Sequence, residues 1–102
     1  SDVLACEELT LRARHDLDDG SLREAALQLR VALDAALAEL AHEPASAAMA
    51  ERLDQLRERR ATLDALADAA LGGVLPPDAH EQLDAALQRL EAALRAREAQ
   101  QF

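Results

Sequence analysis

Along most of the chain leucine and alanine return every three or four residues, and the runs are broken only by glycine and proline. That spacing gathers apolar side chains on one side of an α-helix, and the interruptions mark where helices stop. Gly20, Pro44, the pair Gly72-Gly73 and the pair Pro76-Pro77 are all the glycines and prolines present. They divide the sequence into four predicted helices, spanning about residues 2–18, 21–41, 44–71 and 78–99. Gly20 suits a left-handed C-terminal cap, and Pro44 suits a first turn, where no amide donor is needed. Ser21-Leu22-Arg23-Glu24 and Asp78-Ala79-His80-Glu81 both read as capping boxes. The phrases LDAALAEL (33–40), LDALADAAL (63–71) and LDAALQRL (83–90) recur without a fixed period, which argues against a solenoid. Short connections make consecutive helices antiparallel. The predicted fold is all-α, an up-down four-helix bundle with short loops, residues 1–102 forming one domain.

The faces of these helices are not alike. The third carries one stripe, Met49, Leu53, Leu56, Leu63, Leu66 and Ala70. The fourth carries a narrower one, Leu83, Leu87, Leu90 and Leu94, at coiled-coil-like steps. The second has Leu22, Ala26, Leu29, Leu33, Ala36, Leu37 and Leu40 on one side, and Leu27, Val31 and Ala38 on the other. The first repeats this doubling, with Val3, Cys6, Leu9, Ala13 and Leu17 facing one way and Leu4 and Leu11 the other. A single-chain bundle offers no second core for such residues, and clustered apolar side chains on a rigid face mark an interaction surface. Leu4, Leu11, Leu27 and Val31 are therefore the expected interface, the partner being another protein or, most simply, a second copy in an isologous homodimer. Two rival accounts are scattered single exposure, which is ordinary, and burial within one chain if the second helix sits centrally.

Composition narrows the picture further. Leucine (20) and alanine (25) supply nearly all the apolar residues, with Phe102 the only aromatic and no isoleucine, so strand-favouring residues are almost absent. The formal net charge of -9 repels phosphate backbones and anionic lipid surfaces, so neither nucleic acid nor a membrane is an expected partner. No run approaches the roughly 18 apolar residues of a transmembrane helix, and no leader pattern opens the sequence. One cysteine, Cys6, cannot form an internal disulfide. These features point to a soluble, cytoplasmic chain.

Residues 14–21, RHDLDDGS, crowd three carboxylates, a histidine and a glycine together, and raise the question of a cation site. A calcium loop of the EF-hand type with Gly20 at its sixth position would put His15 first, Leu17 third and Ala26 twelfth, which supplies the wrong ligands. The carboxylates instead suit a helix corner. A different arrangement follows from antiparallel topology, which draws His15, Asp16, His80 and Glu81 toward one end of the bundle; imidazoles with carboxylates are the donor set of a divalent transition metal. These donors sit at helix ends, however, without the repeated Glu-x-x-His of di-iron bundles, so solvated caps are the favoured reading and no cofactor is expected. Cys6 lies on an apolar face with no histidine near it in sequence. Ser1, Ser21 and Ser46 sit at a terminus, a cap and a first turn, and no phosphate-cradling glycine loop is present. Arg60 interrupts the stripe between Leu56 and Leu63, where it would snorkel outward or pair with a neighbouring acid.

Residues 17–40, LDDGSLREAALQLRVALDAALAEL, resemble the glycine-turned hairpins of tetratricopeptide-like and HEPN-like helical proteins. The likeness covers about a quarter of the chain, and neither the 34-residue tetratricopeptide period nor the Arg-x4-6-His signature of HEPN nucleases is present. It implies a non-catalytic relative whose helices bind partners, nucleotides or other small ligands. The expected function is a non-enzymatic interaction or oligomerisation module working through the first two helices. The alternative is a ligand or metal sensor at the His15/His80 end.

Overall fold

A computed structural model describes residues 3–42 and 46–100. They form five helices and no strand: α1 (Ala5–Asp18), α2 (Leu22–Leu40), α3 (Ala47–Glu58), α4 (Arg60–Gly72) and α5 (Ala79–Gln100). Cross-helix contacts fix their directions. Glu39 meets Ala5 and Cys6, Arg30 meets Asp68 while Asp34 meets Arg60, and Glu7 meets Arg97 while Arg14 meets Asp84 and Glu91. In the last two pairs one residue number rises as the other falls, so α2 runs antiparallel to α4 and α1 to α5; the short connection from Asp18 to Leu22, with the end of α2 meeting the start of α1, makes α1 and α2 antiparallel as well.

Both glycine corners follow from backbone chemistry. At the end of α1 the amide of Ser21 bonds to the Asp16 carbonyl (2.8 Å) and that of Gly20 to the Leu17 carbonyl (3.1 Å). Gly20 stands between them at φ +80°, a conformation that disfavours any residue with a Cβ. This is the Schellman pattern, and it satisfies carbonyls that the helix end would leave open. Gly73, at φ +90°, repeats it after α4, with Val74 bonding to Ala69 and Gly73 to Ala70. Residues 14–21 thus make a corner. The capping box expected at Ser21 does not form: Ser21 sits at φ -82°, ψ 71°, and its side chain makes no cap bond. Ser46, fully extended at φ -104°, ψ 159°, does cap, its Oγ accepting the Met49 amide at 3.0 Å. Asp78 holds the side-chain amide of Gln82. The expected helix start at Pro44 lies outside the described residues.

The predicted third helix is two helices. At Arg59 the backbone amide turns back to Leu56, three residues behind, at 3.0 Å, and the helix is interrupted without a glycine or proline. The apolar pattern supplies the reason. Continued at steps of four and three, the stripe Met49, Leu53, Leu56 would next bury position 60, which is an arginine. The break lets Arg60 reach the surface and pair with Asp34 of α2 at 3.0 Å. It also lets the two halves choose different neighbours, α3 packing chiefly on α5 and α4 chiefly on α2.

One core joins all five helices. Leu17, Leu29, Leu33, Leu40, Met49, Leu56, Leu63, Leu83, Leu87 and Leu90 are fully buried, with alanines filling the closer approaches. The buried side of α1 is Cys6, Thr10, Ala13 and Leu17. Val3, expected there, is exposed, and Leu9 is half-buried against the core. Among the described residues no helix is long and apolar enough to cross a membrane.

Candidate functional site

The four residues expected at an interface divide into two kinds. Leu4 and Leu27 are half-buried and pack against the core from its edge. Leu11 and Val31 stand out in solvent, 70% and 52% exposed. Their settings follow from helix geometry. α2 turns the side bearing Ala25, Leu29, Ala32, Leu33 and Ala36 inward, which leaves Leu27 and Val31 on its outer arc with Glu24 and Gln28. α1 buries Cys6, Thr10, Ala13 and Leu17, which leaves Leu11 outward with Glu8, Arg12 and His15.

Three depressions run across this outer face. One, between the helices, is lined by Leu11, Arg12, His15, Asp16 and Gln28. A second lies along Leu27 and Val31 and shares Gln28 with the first. A third, of about 270 Å³, separates α1 from α5 and is lined by Leu11, Glu7, Thr10, Leu94, Glu91 and Arg97, among others. Leu11 belongs to two of them and forms the crest between. Thr10 is 3% exposed, and its hydroxyl finds no hydrogen-bond partner among the described residues.

Charge organises the seams beneath this face. Arg14 forks onto Glu91 through Nε (3.1 Å) and a terminal nitrogen (2.9 Å), and its other terminal nitrogen reaches Asp84 (3.0 Å) and Asp18 (3.3 Å). Glu91, above all, with Asp84 and Asp18, holds this guanidinium protonated even more firmly than an arginine ordinarily is. Arg97 meets Glu7 at 3.0 Å.

At the other end of α1 the residue before the helix is Leu4, whose side chain has no acceptor for the free amides of the first turn. Glu39, from the last turn of α2, supplies one. Its carboxylate takes the Ala5 amide at 3.0 Å and the Cys6 amide at 2.7 Å, and Glu7 reaches back to the Leu4 amide at 3.3 Å. Burial would raise the Glu39 carboxyl, but the Cys6 and Ala5 amides, the Cys6 thiol and Arg97 outweigh it and hold the group below the usual carboxylate range. The same contact acts oppositely on the thiol. Burial first, then the bond to Glu39 and its charge, push Cys6 up to about 12, so at neutral pH it is a neutral, buried thiol and a poor nucleophile. Sequence reading missed Glu39: with the helix expected to begin at about residue 2, the uncapped start after Leu4 is seen in the structure and not in the pattern.

The histidine end does not assemble. Glu7–Arg97 and Arg14–Glu91 set a register in which His15 lies level with about residue 89, some nine residues and roughly 14 Å along the axis from His80. His15, His80 and Glu81 are exposed and Asp16 half-buried, and among the described residues no three histidine, cysteine, aspartate or glutamate side chains stand close enough to hold a metal ion. The fold and this face define a bundle of antiparallel helices with an outward apolar crest. Comparison with protein-family models, with curated proteins and with solved structures finds no match.

Proposed function

We propose that the protein is a non-catalytic interaction module that associates through the outer face of α1 and α2. The observation that carries the reading is the pair Leu11 and Val31, two large apolar side chains left in solvent on adjoining helices of one hairpin and linked by depressions that share Gln28. Covering apolar surface of this kind is the main favourable term in association, worth about 25 cal/mol per Å² before the costs of binding. A second copy of the chain is the simplest partner, because a two-fold contact asks for nothing beyond the one surface.

The test is absolute mass by light scattering coupled to size-exclusion chromatography, with concentration read by refractive index because the chain has neither tryptophan nor tyrosine. The expected result is a particle of about 22 kDa, twice the 11.0 kDa chain, reduced to one chain by Leu11→Glu or Val31→Glu with far-UV circular dichroism unchanged. A wild-type protein that stays at one chain's mass at the highest attainable concentration would overturn self-association.

A further inference from the structure

Resting on the self-association reading, we infer that the two-fold axis of the dimer passes beside the middle of α1, between two antiparallel copies of that helix in contact. Each copy seats Leu11 in the α1–α5 groove of the other, and Glu8 of each pairs with Arg12 of the other. Four observations meet in this arrangement. Leu11 is a projecting side chain beside a groove of about 270 Å³, so knob and hole occupy the same flank of one helix. An axis perpendicular to two antiparallel helices, lying in the plane between them, sets like flank against like flank. Each knob therefore faces the other copy's hole.

Register adds the second observation. When the axis passes level with residue 10 of α1, Leu11 of one copy falls level with residue 9 of the other, between Glu7 and Thr10 on the groove wall. Across the groove, the Glu7–Arg97 pair puts Leu94 at about that height. The Leu11 side chain thus meets Leu94, on a wall whose other side chains are polar or charged.

The third concerns the opposite flank. Glu8 and Arg12 are both exposed, and among the described residues neither makes an ion pair. The same crossing point puts Glu8 of one copy level with Arg12 of the other, twice over. The register that fills the groove is the register that pairs the charges.

Net charge supplies the fourth. Two chains each carrying -9 repel over most orientations, and contact is favoured only where charges alternate along the meeting surface. The outward arc of α1, with Glu8, Arg12 and His15 around Leu11, is such a surface.

Charge reversal on the full chain tests the arrangement. Glu8→Arg and Arg12→Glu, made singly, each set like charges across the axis in two places and should raise the dimer dissociation constant on the order of tenfold or more. Made together they restore opposite charges and should return it close to the wild-type value. Both positions are exposed, so circular dichroism and thermal unfolding report whether each variant keeps its fold. A wild-type dimer indifferent to both single reversals would overturn the α1 axis and leave self-association standing. A monomeric wild type would overturn both. Single reversals that weaken the dimer without rescue by the double variant would overturn the Glu8–Arg12 pairing.

Discussion

The seam between α1 and α5 and the seam between α2 and α4 each join antiparallel helices, and each carries two arginines reaching across to carboxylates. They are built differently. On the first, Arg14 is a fork gripping Glu91 with two of its three nitrogens and reaching Asp84 with the third, and these side chains are about 70% shielded from solvent. On the second, Arg30 approaches Asp68 only to 3.6 Å with 43% and 76% of the two side chains exposed, and Arg60 holds Asp34 at the surface. The approach of the backbones is distributed the other way, α4 lying along α2 more extensively than α1 along α5. Where leucine and alanine surfaces mesh, ion pairs can sit loosely on top. Where they mesh less, paired charges set the register, and here that register also shapes the groove beside Leu11.

The largest effect that would sharpen this contrast is the loss of Arg14. Arg14→Met keeps most of the apolar stem, removes the fork, and leaves Asp18, Asp84 and Glu91 without their shared cation; the expected cost is about 1–3 kcal/mol, measured by urea denaturation. Sign follows from direction. A cationic group bound more firmly in the folded state contributes at every pH below its ordinary value and loses that contribution only in strong alkali, so the cost should be the same at pH 6 and pH 9. A cost below a few tenths of a kcal/mol would place Arg14 with ordinary surface pairs.

Glu39→Ala comes next, at about 1 kcal/mol, the usual cost of a lost helix cap. Here the folded carboxyl lies below its ordinary value of about 4.3, so its contribution is complete above that pH and fades as pH falls through the lower, folded value. The gap between variant and wild type should therefore close in acid. Labelling of Cys6 by a thiol reagent gives a second readout, since removing Glu39 removes one of the influences that raise this thiol, and the rate should increase. An unchanged labelling rate together with a pH-independent gap would show the cap contact to be incidental. Asp68→Asn should produce the smallest change, under about 0.5 kcal/mol, because the pair it breaks is long and exposed. A larger loss would erase the distinction between the seams.

Much of this architecture is legible in the sequence because it is written in local terms. Gly20 and the Gly72-Gly73 pair announce their corners through the backbone conformations they permit, and the recurrence of leucine announces the buried faces. What escapes is set by register between helices. Arg60 in the middle of a stripe is visible as an irregularity, yet whether it snorkels, pairs or breaks the helix depends on Asp34 standing opposite. Ser21 has the composition of a cap, but the Schellman corner just before it fixes a backbone geometry in which its hydroxyl does not serve. The division of Leu4 and Leu27 from Leu11 and Val31 depends on how far each helix rotates against its neighbours, and a few tens of degrees decide it. Topology alone draws His15 and His80 to one end; the ion pairs of α1 with α5 place them about nine residues apart along the axis.

The carboxylate that closes α1 has a consequence for the order in which the chain becomes structured. The Ala5 and Cys6 amides find their acceptor more than thirty positions downstream, so the first turn of α1 is completed by the last turn of α2. During synthesis α1 emerges before α2, and its leading amides stay solvated until the last turn of α2 brings Glu39 to them. Fraying reverses the path. Those two amides exchange their hydrogens with solvent when either helix end opens, which makes the N-terminus of α1 and the C-terminus of α2 a single cooperative unit.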